Sequence, residues 1–201
     1  MLNQLPNFLT SFRLFIIPLL IASFYIPGMI ANVIVALLFA LAAITDYFDG
    51  YFARSLKVES NFGRCLDPIA DKLLVIVAIV MLIANSNGDL WILLPGLIII
   101  CREVLVSGLR EFLAGLHVSV PVSNLAKWKT GVQMVAITGL LLGEKGSSYT
   151  ISYLFGNLLE IDIKFLIISF IDLASKLLFI LAAFLTIITG YAYCKVGFKN
   201  M

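Results

Sequence analysis

Four of the twelve acidic residues in this 201-residue chain, Asp46, Asp49, Asp67 and Asp71, fall within one short stretch. Asp46 and Asp49 are three apart and Asp67 and Asp71 four apart, so on helices each pair shares one face. Two carboxylates about 4 Å apart repel by roughly 4 kcal/mol at an effective dielectric near 20, and a charge at mid-bilayer depth costs on the order of 2.5–3.5 kcal/mol on insertion scales. Arg54, Arg64 and Lys72 offset part of that cost. Divalent cations offset more, and a donor set made only of carboxylate oxygens suits Mg²⁺ or Mn²⁺ rather than zinc. The bland reading is that these residues are helix caps and solvated charges at a membrane edge, which Asp67 ahead of Pro68 fits well. Both readings stand for each aspartate alone; for all four together the bland one weakens. Gly50 and Ala53 lie one and two turns beyond Asp46 on its face, and Gly63 follows after the turn. Small residues there serve close helix packing or form the floor of a ligand site.

The elements that must hold these residues are set by composition. Hydrophobic residues make up 61% of the chain and charged ones 13%, with a mean hydropathy of +1.05. A soluble domain is nearer half apolar and a quarter charged. This excludes an ordinary cytosolic enzyme and a disordered chain, and a net charge of +2 gives no field for nucleic acid. The expectation is an all-α, polytopic membrane protein with one domain over residues 1–201. Residues 14–45 carry no charge and are too long for one span of about 20 residues, and Pro27-Gly28 divides them. Helices are expected at about 8–26, 29–56, 68–86, 90–114, 124–142 and 165–194, the third starting at Asp67-Pro68, with 144–164 as one long loop. Six spans put both termini on one side. Eleven of the fourteen Lys and Arg residues fall on that side, only Lys145 and Lys164 fall opposite, and Lys176 lies within the sixth helix. The positive-inside rule then makes both termini cytoplasmic, and the clustered charges face the cytoplasm too. No removable signal peptide is expected. Cys65, Cys101 and Cys194 form no CxxC pair and are expected to be buried, inert thiols.

The run Asp46-Tyr47-Phe48-Asp49-Gly50-Tyr51-Phe52-Ala53-Arg54, followed by Gly63, Asp67 and Asp71, resembles the signature of the CDP-alcohol phosphotransferase family. Eight fixed positions at fixed spacing make that a specific pattern. The resemblance implies six transmembrane helices, usually in a homodimer, a cavity facing the cytoplasm, two divalent metal ions and a CDP-linked lipid donor. It implies that Asp46, Asp49, Asp67 and Asp71 hold the metals and that Asp71 is also the general base. Asp49, Gly50, Ala53, Arg54 and Gly63 would contact the CDP group. Metals that bridge a diphosphate neutralise its charge and stabilise the departing CMP, and a carboxylate within hydrogen-bond reach takes the proton of the attacking hydroxyl.

The signature does not name the alcohol. Leu5-Pro6-Asn7-Phe8-Leu9-Thr10-Ser11-Phe12-Arg13, Cys101-Arg102-Glu103-Val104, Leu109-Arg110-Glu111, Lys127-Trp128-Lys129-Thr130 and Gln133-Met134 resemble the bacterial branch of the family that uses glycerol 3-phosphate with CDP-diacylglycerol. That likeness covers about residues 3–143 and departs at Cys101 and in 144–164. It implies a multi-pass protein of the bacterial inner membrane. A phosphate dianion needs cations, and Arg102, Arg110, Lys127 and Lys129 supply four, guanidinium offering a planar fork of donors. Snorkelling basic residues are the competing reading, with Glu103 and Glu111 as pairing partners of the two arginines. Asn7, Thr10 and Arg13 either reach a phosphate or anchor the first helix. Lys176 is expected to pair with Asp172 at i,i+4, Trp91 and Trp128 to sit in an interfacial belt, and His117 to have no catalytic part. Alternatives are the same chemistry with phosphatidylglycerol, serine or an inositol phosphate as acceptor, and a divalent-cation transporter. A prenyltransferase would need more spans and two separated Asp-rich motifs.

Overall fold

Long apolar runs can satisfy their backbone without water only as helices, and the computed structural model is all-α, with no strand among the described residues. It describes residues 5–26, 28–56, 61–116, 124–155 and 161–199; within the helices, the side chains at 5–12, 29, 46–56, 61–68, 124, 126, 144, 196 and 198–199 lie outside that description. The helices are α1 (Leu5–Phe24), α2 (Met29–Leu56), α3 (Asn61–Asn85), α4 (Leu90–Gly115), α5 (Asn124–Phe155) and α6 (Ile161–Lys199). Two of them, over Leu90–Gly115 and Ile161–Lys195, are long and apolar enough to cross a membrane, and Arg13–Phe24 and Ile30–Thr45 are shorter apolar stretches. Large apolar side chains such as Phe15, Leu37, Leu94, Val104, Phe165, Phe170, Leu177 and Phe184 are exposed. Apolar surface on that scale is suited to lipid, and the chain is a membrane protein.

The largest departures from the sequence expectation are at the start of α3 and between residues 144 and 164, and α6 also runs on to Lys199. Helix α3 begins at Asn61, so Asp67 and Pro68 lie two turns inside it rather than at its start. The backbone of 61–66 continues the helix instead of forming a loop, and an internal proline is tolerated in the helices of membrane proteins. The stretch 144–164 is not one loop either: α5 breaks at Gly143 and resumes as helix to Phe155, and α6 starts at Ile161. Gly143 has φ 58° and ψ −176°, a conformation open essentially only to glycine. Asn32 Nδ2 donates to the Leu142 carbonyl at 3.4 Å, satisfying a group that the break frees. The hydroxyls that made 144–155 look loop-like are compatible with helix. Thr150, for example, donates to the Gly146 carbonyl at 2.9 Å.

The chain forms two compact units, residues 1–81 with 138–172, and residues 82–137 with 173–201. In the first, α1 packs on α2 around Ile16, Leu20, Val35 and Phe39, with Leu74 and Ile79 also buried. Arg13 is buried as well, with Ser23 and Ser147 as further buried polar residues of this unit. In the second, Ile99, Val106, Leu113, Ile137 and Phe179 are buried.

Within this second unit α4 and α6 run in the same direction. Lys176 Nζ lies 3.6 Å from Asp89 Oδ2, Gly190 meets Arg102, and Gly197 meets Leu109, so contacts advance together along both helices. A Cβ at Gly190 would sit 3.1 Å from Arg102 Cγ, and one at Gly197 would sit 2.7 Å from Leu109 Cδ1. Small residues spaced seven apart on α6 thus let α4 lie against its backbone. Asp89 also caps α4, its side chain accepting from the Trp91 amide at 2.9 Å. The sequence reading of Lys176 missed Asp89 as a partner. Cys101 is exposed on the apolar helix α4 and Cys194 is half-buried, so the expectation of buried thiols fails for Cys101. Cys101 faces outward because its neighbour Arg102 takes the inward face toward α6.

Candidate functional site

The acidic residues are placed by helix register. Asp46 and Asp49 lie on α2; Asp67 and Asp71 lie on α3. Only four residues join the two helices. Counted from that connection at 1.5 Å per residue, Asp49 lies about 10 Å back along α2 and Asp67 about 9 Å along α3, while Asp46 and Asp71 each lie about 15 Å in. Measured along each helix from that connection, Asp49 and Asp67 are thus at similar distances, as are Asp46 and Asp71. The side chains of Asp46, Asp49, Gly50, Ala53, Arg54, Gly63 and Asp67 lie outside the described residues, and Asp71 is half-buried. Among the described residues no group of three or more potential metal ligands occurs; three of the four aspartates are not in that set.

The earlier start of α3 removes the capping account of Asp67. A residue two turns inside a helix cannot cap it, because the orphan N–H groups belong to the first turn. Alanine there is expected to leave the unfolding midpoint in detergent unchanged or raised, whereas loss of a true N-cap costs about 1 kcal/mol. A thermal melt of Asp67→Ala checks this, and a lowered midpoint would return Asp67 to a capping role. A donor set made only of carboxylate oxygens is chemically suited to a hard divalent cation.

The second cluster lies where α4, α5 and α6 meet in the second unit. Glu103 on α4 binds two cations: its Oε1 accepts from Lys129 Nζ of α5, and from Arg102 Nη1 at 3.3 Å. All three side chains are largely buried, Lys129 at 6%, Arg102 at 13% and Glu103 at 16% exposure. Arg102 is held further by α6. Its Nη2 donates to Thr189 Oγ1 at 3.0 Å, its stem lies on Gly190, and its guanidinium sits 5.9 Å from the ring centre of Tyr193. Thr189 in turn donates to the Leu185 carbonyl at 2.9 Å. Among the described residues of this unit three buried polar atoms have no hydrogen-bond partner, Arg102 Nε, Gln133 Oε1 and Thr186 Oγ1. Gln133 follows Lys129 by one turn and shares its face.

Arg110 and Lys127 differ from Arg102 and Lys129 in being exposed. The guanidinium of Arg110 lies 5.8 Å from the centre of the same Tyr193 ring. The four basic residues thus divide into two that are buried and tied to Glu103, and two that reach the surface. The expected pairing of Arg102 with Glu103 is present. Thr189 and Tyr193 had no place in the sequence reading. Their signal was present as Thr186, Thr189, Gly190, Tyr193 and Gly197, a stripe of small and hydroxylated residues at helical spacing on an otherwise apolar helix. Trp91 and Trp128 are both exposed.

Comparison with known proteins places this arrangement in a class. The family model for CDP-alcohol phosphatidyltransferases matches residues 3–188. The chain belongs to that family. It is 50% identical over 193 residues to the CDP-diacylglycerol–glycerol-3-phosphate 3-phosphatidyltransferase of Rickettsia bellii, covering 96% of this chain and 94% of the relative. The proteins of the same name from Rickettsia felis and Rickettsia typhi are 48% and 47% identical, again across 96% of this chain and covering 94% and 97% of their own lengths.

Proposed function

We propose that this protein transfers the phosphatidyl group of CDP-diacylglycerol to glycerol 3-phosphate, giving phosphatidylglycerophosphate and CMP. The likeness to relatives of that name over nearly the whole chain carries the reading, and the basic cluster of α4, α5 and α6 supports a phosphorylated acceptor. The acceptor hydroxyl forms a bond to the phosphorus that carries diacylglycerol, the bond from that phosphorus to CMP breaks, and the proton passes to a carboxylate of Asp71. Such a transfer asks the protein chiefly for positioning and charge stabilisation. Asp46, Asp49, Asp67 and Asp71 hold two divalent ions, Mg²⁺ or Mn²⁺, which supply charge neutralisation at the donor diphosphate. Asp49, Gly50, Ala53, Arg54 and Gly63 line the CDP group, the small residues letting it lie against helix backbone.

In the same reading the protein is an inner-membrane homodimer of six-span subunits with cytoplasmic termini and a site open to the cytoplasm. The common direction of α4 and α6 supports this, since two spans of like sense have one return crossing between them. Arg110 and Lys127 receive the phosphate of the acceptor from water, while Arg102 and Lys129 build the positive floor behind them.

Purified protein in detergent with CDP-diacylglycerol is expected to release CMP with glycerol 3-phosphate and a divalent ion. Release with serine, an inositol phosphate or phosphatidylglycerol but not with glycerol 3-phosphate would overturn the acceptor. Undiminished release after metal removal would overturn the role of the aspartates. Arg110→Ala is expected to raise the glycerol 3-phosphate KM by about tenfold or more, as loss of a charge-assisted hydrogen bond of ~1.5–3 kcal/mol implies, with the donor KM little changed. Equal effects on both substrates would take Arg110 out of the acceptor site.

A further inference from the structure

Tyr193 is buried on α6, and two guanidinium groups from α4 converge on its ring, Arg102 at 5.9 Å and Arg110 at 5.8 Å from the centre. These arginines are eight residues apart on one helix, about 12 Å along its axis. Left alone, two like charges on long side chains would spread apart. Their convergence has a physical cause in the ring, whose negative face attracts a cation within about 6 Å.

The two arginines are not held alike. Arg102 has a carboxylate partner in Glu103, a hydroxyl partner in Thr189 and a glycine beneath its stem. Arg110 is exposed, and the contact described for it is the Tyr193 ring. The ring therefore links an exposed guanidinium to one that is fixed.

We propose that Tyr193 is a positioning residue for the acceptor: its ring sets the place of the Arg110 guanidinium relative to Arg102, so that a phosphate monoester arriving from water meets an ordered fork of donors rather than a freely moving side chain. This rests on the reading of Arg110 as an acceptor-phosphate residue given above. Ordering a long side chain before binding removes an entropic cost that the complex would otherwise carry, so the effect falls on acceptor binding rather than on the chemical step. The hydroxyl of Tyr193 is not needed for this; the aromatic face is.

The test compares two variants of the full-length enzyme in detergent micelles. Tyr193→Phe keeps the ring and is expected to keep the glycerol 3-phosphate KM close to that of the unaltered enzyme. Tyr193→Leu keeps apolar volume without a ring and is expected to raise that KM about tenfold, the factor that corresponds to ~1.4 kcal/mol, with kcat and the CDP-diacylglycerol KM held. Arg110→Ala combined with Tyr193→Leu is expected to have little more effect on KM than Arg110→Ala alone, because both remove the same ordered group. Phe and Leu variants with the same glycerol 3-phosphate KM would overturn the proposal, as would a Leu effect that adds in full to that of Arg110→Ala. Should Tyr193→Leu not fold, Tyr193→Phe and Tyr193→Trp, which both keep an aromatic face, must each preserve the KM; a raised KM in Tyr193→Phe overturns the proposal. Failure of the proposed function would look different, as absence of glycerol 3-phosphate-dependent CMP release from the unaltered enzyme.

Discussion

Asp71→Asn is expected to lower CMP release by about two to four orders of magnitude, the range by which a positioned general base accelerates a reaction. Asparagine matches aspartate in shape, so α3 keeps its form and the site keeps its volume. What is lost is the group that accepts the hydroxyl proton. Asp71 is half-buried on α3, ten residues in from the helix start at Asn61, so it lies well away from the connection between α2 and α3. Single-turnover measurement with labelled CDP-diacylglycerol separates the two duties proposed for this residue. If proton transfer is its main part, donor binding persists while turnover collapses. If charge neutralisation at the diphosphate is its main part, donor affinity falls with turnover. A variant that turns over at the native rate removes Asp71 from the reaction.

How much of this was legible in the sequence depends on which physical signal each feature carries. Helix α2 begins at Met29 and the first part of α5 ends at Leu142 because Gly28, with φ 117°, and Gly143, with φ 58°, are real backbone breaks. The start of α3 was misplaced because Asp67-Pro68 is a strong cap signal in water, while an apolar environment rewards every added intrahelical bond. The hydroxyl-rich segment after Gly143 was read as loop for a related reason: Ser and Thr favour loops when water competes, and in its absence they bond to their own helix. The acidic quartet stood out because four carboxylates among so many apolar residues need compensation, whatever the fold. The division of the four basic residues into a tied pair and an exposed pair was not legible. It depends on which α5 residue faces Glu103 and which α6 residue lies behind Arg102, and tertiary packing alone decides that.

Removing the carboxylate between those cations is expected to have the largest effect on stability. Glu103 faces both Arg102 and Lys129 in a setting where all three are mostly shielded from water. Glu103→Ala takes from Arg102 and Lys129 the carboxylate that both contact, and breaking a buried ion pair from one side costs about 3–5 kcal/mol. For a chain of this size each kcal/mol moves the unfolding midpoint by roughly 2–4 °C, so the variant is expected to melt on the order of 10 °C lower in detergent. Glu103→Gln keeps an accepting oxygen and should fall between the two. Lys129→Met, introduced on the Glu103→Ala background, should recover part of the loss, since it removes one of the stranded charges rather than adding a contact. That recovery distinguishes electrostatic stranding from a cavity left by the shortened side chain, which a second substitution on α5 would not relieve. An unchanged midpoint in Glu103→Ala would mean that water reaches Arg102 and Lys129 freely, and that the cluster is a solvated surface rather than the buried floor beneath Arg110.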